Sequence, residues 1–313
     1  MKLKIKAAFS VVLAWISFVG VGYYLWTSIF FLNKLTFIHI PSLLLVLLLM
    51  PLNWIFESLK IYQKFNLNYS FLECVWITLK GLGLSLVTPM GMGVFLGRAM
   101  FEDQTRRQNL LTATAFSSYA QSMVTFGIGM FAFFKMGPLG EIGFTSELNN
   151  YLVINFLLFL VIAILFWIFL MNGKHLLRRI YMPKLPNSND GTKIYNSLAS
   201  LLLLSFVRYL VFGFQYLFLL MPFYSEDWRD LIFPVAVIFM IQSMIVIPPM
   251  ISGLFRGGIA VCVLTPFGID LDVCLGIAST LFLINLILPA LAGNFLLFGD
   301  LRTQNGFKLL TKE

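Results

Sequence analysis

Residues 85–98 read SLVTPMGMGVFLGR. In a run that is otherwise apolar, this stretch carries Pro89, the glycines Gly91, Gly93 and Gly97, and a closing Arg98. Proline pushes its predecessor out of helical geometry. Backbone released from a helix at bilayer depth survives only where protein buries it or a wet cavity receives it. The stretch also has an echo. From Pro89 the frame runs Pro, Met, then Gly93, Phe95 and Gly97; from Pro249 it runs Pro, Met, then Gly253, Phe255 and Gly257. The copies lie 160 positions apart (249 − 89) in a chain of 313 residues, and each has an arginine near its end, Arg98 and Arg256, at slightly different offsets. The chain therefore reads as two related halves, about 1–150 and 151–300, each built around one broken membrane segment, with a short basic tail at 301–313.

Composition bounds the class. The chain is 59% hydrophobic and 12% charged, against about 25% charged in a soluble domain. Apolar runs long enough to cross a bilayer as helices recur. The expectation is an all-α polytopic membrane protein with residues 1–313 forming a single integral membrane domain. The net charge of +8 would suggest nucleic acid in a soluble protein; here the positive-inside rule accounts for it and no nucleic-acid partner is expected. Cys74, Cys262 and Cys274 sit in apolar runs, are odd in number and form no CxxC, so they suggest neither a disulfide framework nor a zinc site. His39 and His175 stand alone at membrane boundaries. No metal and no cofactor is expected. The opening MKLKIK and the apolar run to about residue 32 read as a retained first helix, because the run is too long for a signal peptide and no small-x-small site closes it.

Topology follows from charge. Lys2, Lys4 and Lys6 place the N-terminus in the cytoplasm. Segment 8–32 goes out and 38–60 returns, with a kink expected near Pro51. If 71–97 crossed once, Arg98, Arg106 and Arg107 would land outside; if it enters, turns near Thr88 and Pro89 and comes back, they land inside. A re-entrant hairpin is therefore expected. Segments 109–134, 151–171 and 198–221 cross, 231–267 forms a second hairpin entering from outside, and 273–298 crosses inward to the tail. Both termini are then cytoplasmic. Sixteen of the 22 Lys and Arg fall on cytoplasmic segments; Lys34, Lys135 and Arg229 lie outside, and Lys80, Arg208 and Arg256 lie inside apolar runs. Each half is three transmembrane helices plus one hairpin, in opposite orientation. This inverted repeat is the arrangement by which transporters place a site near the midplane.

Charges inside a membrane cost a few kcal/mol each on insertion scales. Arg208 stands about 11 residues into its helix, roughly 16 Å deep. Lys80 is comparably deep, and Arg256 follows the second turn. The acidic candidates are Glu57 and Glu73, so cations exceed carboxylates, and the surplus calls for an anion such as a phospholipid phosphate. The structural alternatives are that Lys80 and Arg98 snorkel to headgroups and that Arg208 is held by freed carbonyls, Glu57 or Glu73. The GxxxG frames Gly93–Gly97 and Gly253–Gly257 permit close helix approach. Asn53, Gln121, Gln215, Gln242, Asn285 and Asn294 read as interhelical hydrogen-bond residues rather than ligand contacts. HExxH, GxSxG, Walker-loop and paired-carboxylate signatures are absent from the sequence, and no enzymatic activity is expected.

Several of these stretches together are similar to the transmembrane region of the lysylphosphatidylglycerol synthase (multiple peptide resistance factor) family: PLNWIFESLK, SLVTPMGMGVFLGRA and SYAQSMVTFGIG, then FVRYLVFGFQYLF, PPMISGLFRGG and INLILPALAGNFLLF. The resemblance covers nearly the whole chain. It implies a flippase-like membrane domain that moves phospholipids between leaflets, with Glu57, Arg98 and Arg256 at family positions. The short stretch after the last apolar run implies a stand-alone member without the soluble aminoacyl-transfer domain. Where family members usually carry Arg, Glu and Glu, this chain has Gly91, Val94 and Ser252; a different lipid, or loss of transport, are the alternatives that follow. The sequence therefore points to a lipid translocase with a cationic site formed by Arg208, Arg256, Arg98, Lys80 and Glu57 between the hairpins. The alternative is a non-transporting scaffold or partner subunit, in homo-oligomer or enzyme complex, for a lipid- or glycan-modifying enzyme.

Overall fold

The computed structural model describes residues 39–64, 69–86, 88, 91–100, 102–136, 191–244 and 249–310. The apolar segments expected at 8–32 and 151–171, most of the basic loop joining the halves, and Pro89 at the first turn lie outside the described residues.

The described residues are helical and contain no strand. In chain order the helices are α1 (Ile40–Lys64), α2 (Phe71–Ser85), α3 (Gly93–Ala99), α4 (Gln104–Lys135), α5 (Gly191–Leu220), α6 (Ile232–Met244), α7 (Pro249–Leu264), α8 (Leu271–Phe282) and α9 (Leu288–Leu310), with a π turn, Leu283–Ile287, joining the last two. Helix α1 continues through Pro51. Among the described residues, three stretches are long and apolar enough to cross a membrane: Ile40–Tyr62, Ala199–Phe223 and Leu271–Gly299. Helix α4 was expected to cross as well. At 32 residues it has the length, but Thr114, Ser117 and Gln121 mark one face at helical spacing and lower its apolarity.

Local chemistry sets the helix ends. Ser70 and Glu73 cap α2 reciprocally: the Glu73 backbone N–H donates to Ser70 Oγ at 3.3 Å, and the Ser70 N–H donates to Glu73 Oε2 at 2.6 Å. After Ser85 the chain turns back. The Thr88 hydroxyl donates to the Leu84 carbonyl at 3.2 Å and accepts from the Gly93 N–H. Gly91 has φ 68°, a left-handed conformation that glycine adopts without steric cost. Helix α3 then lies against α2 so closely that a β-carbon on Gly93 would strike the Leu84 carbonyl, and one on Gly97 the Lys80 carbonyl. Pairing 84 with 93 and 80 with 97 makes the two arms an antiparallel helical hairpin.

The second copy of the frame is used differently. Helices α6 and α7 touch through Gln242 and Arg256, but Gly257 faces α8, where an added β-carbon would press on the Leu275 Cδ2 methyl at 2.7 Å and lie 3.8 Å from the Leu275 Cα, an ordinary contact.

The packing between the two halves is reciprocal. Helix α1 packs along α5; α2, the first arm of one hairpin, packs on α9; α6, the first arm of the other, packs on α4. Glycines mediate both exchanges: a β-carbon on Gly293 of α9 would collide with the Leu79 carbonyl of α2, and one on Gly129 of α4 with Met240 of α6. The main core, which includes Phe126, Met130, Tyr216, Leu220, Val237 and Ile238, is shared by α4, α5 and α6 and extends into α7 and α8.

Candidate functional site

Glu57 lies two turns before the end of α1, and four donors converge on its carboxylate. Arg98 Nη2 donates to Oε1 at 2.9 Å and Ser117 Oγ to the same oxygen at 3.0 Å. Arg208 Nη1 donates to Oε2 at 2.9 Å, and Lys60 Nζ to that oxygen at 3.2 Å. The donors come from α1, α3, α4 and α5, so the carboxylate ties together helices from both halves. A neutral ring supports the cations: Arg98 Nη1 donates to Thr114 Oγ1 at 3.2 Å, and Lys60 Nζ to Gln121 Oε1 at 3.0 Å. Gln121 Nε2 in turn reaches the Ser205 carbonyl at 3.4 Å.

One carboxylate faces three cations, and the cluster carries two positive charges in excess among the described residues. The cations are not equivalent. The side chains of Lys60 and Arg98 are 0% and 2% exposed, whereas that of Arg208 is 20% exposed. Lys60 and Arg98 each have a neutral acceptor besides Glu57. Arg208 instead stacks its guanidinium 5.3 Å from the Phe212 ring centre, and its Nε, like that of Arg98, is buried with no hydrogen-bond partner among the described residues.

A second polar group continues the same seam. Asn53, one turn before Glu57 on α1, donates through Nδ2 to Gln215 Oε1 at 3.2 Å and to Asn285 Oδ1 at 2.9 Å. Asn285 Nδ2 also donates to Gln215 Oε1, at 2.9 Å, and Gln215 Nε2 reaches the Val46 carbonyl at 3.0 Å. Asn285 sits in the π turn, where the wider coil changes the direction in which a side chain leaves the helix. The α1–α5 interface thus carries a polar seam: an amide triad, then the ionic cluster about 6 Å further along at 1.5 Å per residue.

The structure brings Glu57, Arg98 and Arg208 together but leaves Arg256 and Lys80 out of the carboxylate's shell. Arg256 is exposed, donates to Gln242 Oε1 at 3.4 Å and lies over the Phe282 ring at 5.8 Å. The offset of the two arginines explains their separation. Arg98 stands nine residues after Pro89 and Arg256 seven after Pro249. Two residues turn a helix by about 200°, so the two side chains leave opposite faces. Lys80 is half-buried on α2, and its carbonyl lies against Gly97. Glu73 caps α2 and takes no part in the cluster.

Sequence reasoning missed Lys60. Its place at the end of an apolar run assigns it to the sixteen cytoplasmic charges, yet it is fully buried on Glu57 and Gln121. Arg98, counted in the same way, is buried too. Signals for the shell were present: Glu57 and Lys60 at i, i+3, and Thr114, Ser117 and Gln121 at i, i+3, i+7. The interhelical role expected of Asn53, Gln121, Gln215 and Asn285 is what their hydrogen bonds perform. Among the described residues no group of His, Cys, Asp or Glu is arranged to hold a metal ion.

Apolar helices long enough to cross a membrane flank a buried ionic seam, an arrangement compatible with a helical membrane protein. Comparison with protein-family models, with characterised proteins and with solved structures gives no match to this chain.

Proposed function

We propose that the protein is a phospholipid translocase, or a closely related lipid transporter, whose substrate phosphate is drawn to the cluster on Glu57. The observation that carries this reading is the two-charge positive excess, among the described residues, in a buried seam between the halves, since such an excess inside a membrane protein calls for an anion. Two further features support it. The hairpin arms α2, α6 and α7, at 15, 13 and 16 residues, are about 20–24 Å long, short of the ~30 Å hydrocarbon core; arms of this length suit re-entrant segments. The reciprocal packing of each first arm on the other half's last helix is the pairing that an inverted repeat requires. The resemblance to the lysylphosphatidylglycerol synthase membrane region points the same way, with a bacterial inner membrane as the setting.

Reconstitution in liposomes with a fluorescent anionic phospholipid tests the proposal. Leaflet exchange above that of protein-free vesicles, reduced at least tenfold by Arg208→Ala, is the expected result. Exchange equal to protein-free vesicles, unchanged by the substitution, removes the reading.

One observation favours a second reading. Both oxygens of Glu57 are already saturated by donors from four helices, as in a purely structural pin. A non-transporting scaffold for a lipid- or glycan-modifying enzyme would then be expected to co-purify with that partner in fixed stoichiometry and to show no leaflet exchange.

A further inference from the structure

The three cations on Glu57 differ in how they could be released, and this asymmetry has a chemical consequence. Lys60 and Arg208 share Oε2, while Arg98 and Ser117 share Oε1. If Arg208 swings away, each carboxylate oxygen keeps a charged donor, so Glu57 is not left buried and unpaired, the situation that makes breaking a buried ion pair expensive. If Arg98 leaves, Oε1 keeps only a hydroxyl. Arg208 is also the most exposed of the three, and its Nε is an unused buried donor. Its aromatic contact with Phe212 constrains the guanidinium plane without occupying its N–H groups. Arginine presents its donors as a planar fork that matches a phosphate oxyanion with two parallel hydrogen bonds.

We propose that Glu57 is a resident counter-ion that a phosphate oxyanion displaces from Arg208, while Lys60 and Arg98 stay on the carboxylate and hold it in place. This rests on the translocase reading above and adds to it a specific exchange: Arg208 is the arm that changes partner, and Glu57 competes with the substrate for it. The ligand chemistry is a phosphate group with at least one negative charge, supplied by a lipid headgroup or by free phosphate. Competition of this kind also provides release, because the returning carboxylate removes the phosphate from the guanidinium.

The exchange makes a prediction that a structural pin does not. Removing the carboxylate's charge should weaken the fold and strengthen ligand binding together. The full chain in neutral detergent is titrated with dihexanoyl-phosphatidylglycerol and, separately, with inorganic phosphate, and thermal midpoint and binding are followed together. Glu57→Gln is expected to start from a lower midpoint than the native chain, to gain more from the lipid, and to bind it about tenfold tighter, the scale of removing one modest ion-pair competitor. Arg208→Ala in the Glu57→Gln background is expected to abolish the gain. If Glu57→Gln does not fold, Glu57→Asp, which withdraws the carboxylate by one methylene, should shift affinity in the same direction by a smaller factor. An equal response to inorganic phosphate supports the exchange and assigns it to free phosphate. Binding by Glu57→Gln or Glu57→Asp no tighter than native overturns the exchange even where Arg208-dependent leaflet transport is seen. Absence of both Arg208-dependent binding and leaflet transport removes the translocase reading itself.

Discussion

Glu57 accepts from three cations and a hydroxyl, and the cost of losing each group depends on what the others keep. Without the carboxylate, Lys60, Arg98 and Arg208 face one another with no counter-charge among the described residues. Removing one side of a buried ion pair costs about 3–5 kcal/mol, and Glu57→Ala is expected at the top of that range. Lys60→Met should cost less, because Glu57 keeps Arg98 and Arg208 and the methionine fills the lysine's volume with an apolar chain. Thermal midpoints in detergent check the order: a Lys60→Met loss equal to or larger than that of Glu57→Ala would show that the carboxylate is not the centre of the cluster. Lys60 also shows why a residue's role is hard to read singly. A lysine near the end of an apolar run resembles a topogenic charge, and only the approach of α4 and its Gln121 makes it a buried one.

The hairpin of α2 and α3 depends on glycines whose hydrogens face backbone. At Gly97 an added methyl would meet the Lys80 carbonyl and the Gly81 Cα, neither of which can yield without moving a helix. Gly97→Ala is therefore expected to cost at least ~1–3 kcal/mol, the usual range for overpacking. At Gly257 the neighbour is the end of the Leu275 side chain, which can change rotamer. Gly257→Ala should cost less than ~1 kcal/mol, although the two glycines hold the same place in the repeated frame. Unfolding of both variants in the same detergent reads the contrast directly, and equal losses would contradict the difference in packing. The separation of Arg98 from Arg256 has the same origin: a shift of two residues is small in sequence but turns a helix face through more than half a circle.

At the scale of the molecule, the reciprocal pairing of α2 with α9 and of α6 with α4 is what a two-fold relation between the halves produces, whether they run parallel or inverted. Orientation relative to a membrane can be measured at two positions. Thr105 is the second residue of α4, and Thr265 opens the 3₁₀ turn after α7. In a background where the exposed Cys262 is changed to Ser, Thr105→Cys should react with a membrane-impermeant maleimide only from the cytoplasmic side and Thr265→Cys only from the outside. Labelling of both from one face would remove the inverted arrangement, and with it the proposed placement of the seam at the junction of two mirrored halves. The 16-to-3 charge asymmetry loses Lys60 and Arg98 to the buried cluster, yet fourteen residues against three still support the same orientation.

Helical class, apolar helices of membrane-spanning length and the break between Ser85 and Gly93 were all legible without coordinates, because they depend on properties that each stretch carries alone: apolar length, and a proline among glycines. Arg208 was recognisable as a candidate on the same basis, since a charge in an apolar run is costly wherever the run packs; Glu57 entered as a nearby carboxylate, and both it and Arg98 through the family resemblance. Which cations meet the carboxylate was decided by tertiary structure, through helix rotation and the order in which helices stack. These quantities arise between segments far apart in the chain: Glu57 meets Arg208 across 151 positions and Arg98 across 41. No local pattern specifies that α5 turns Arg208 toward α1 while α7 turns Arg256 away, because the rotation of each helix is set by the apolar surfaces and glycine contacts of its neighbours.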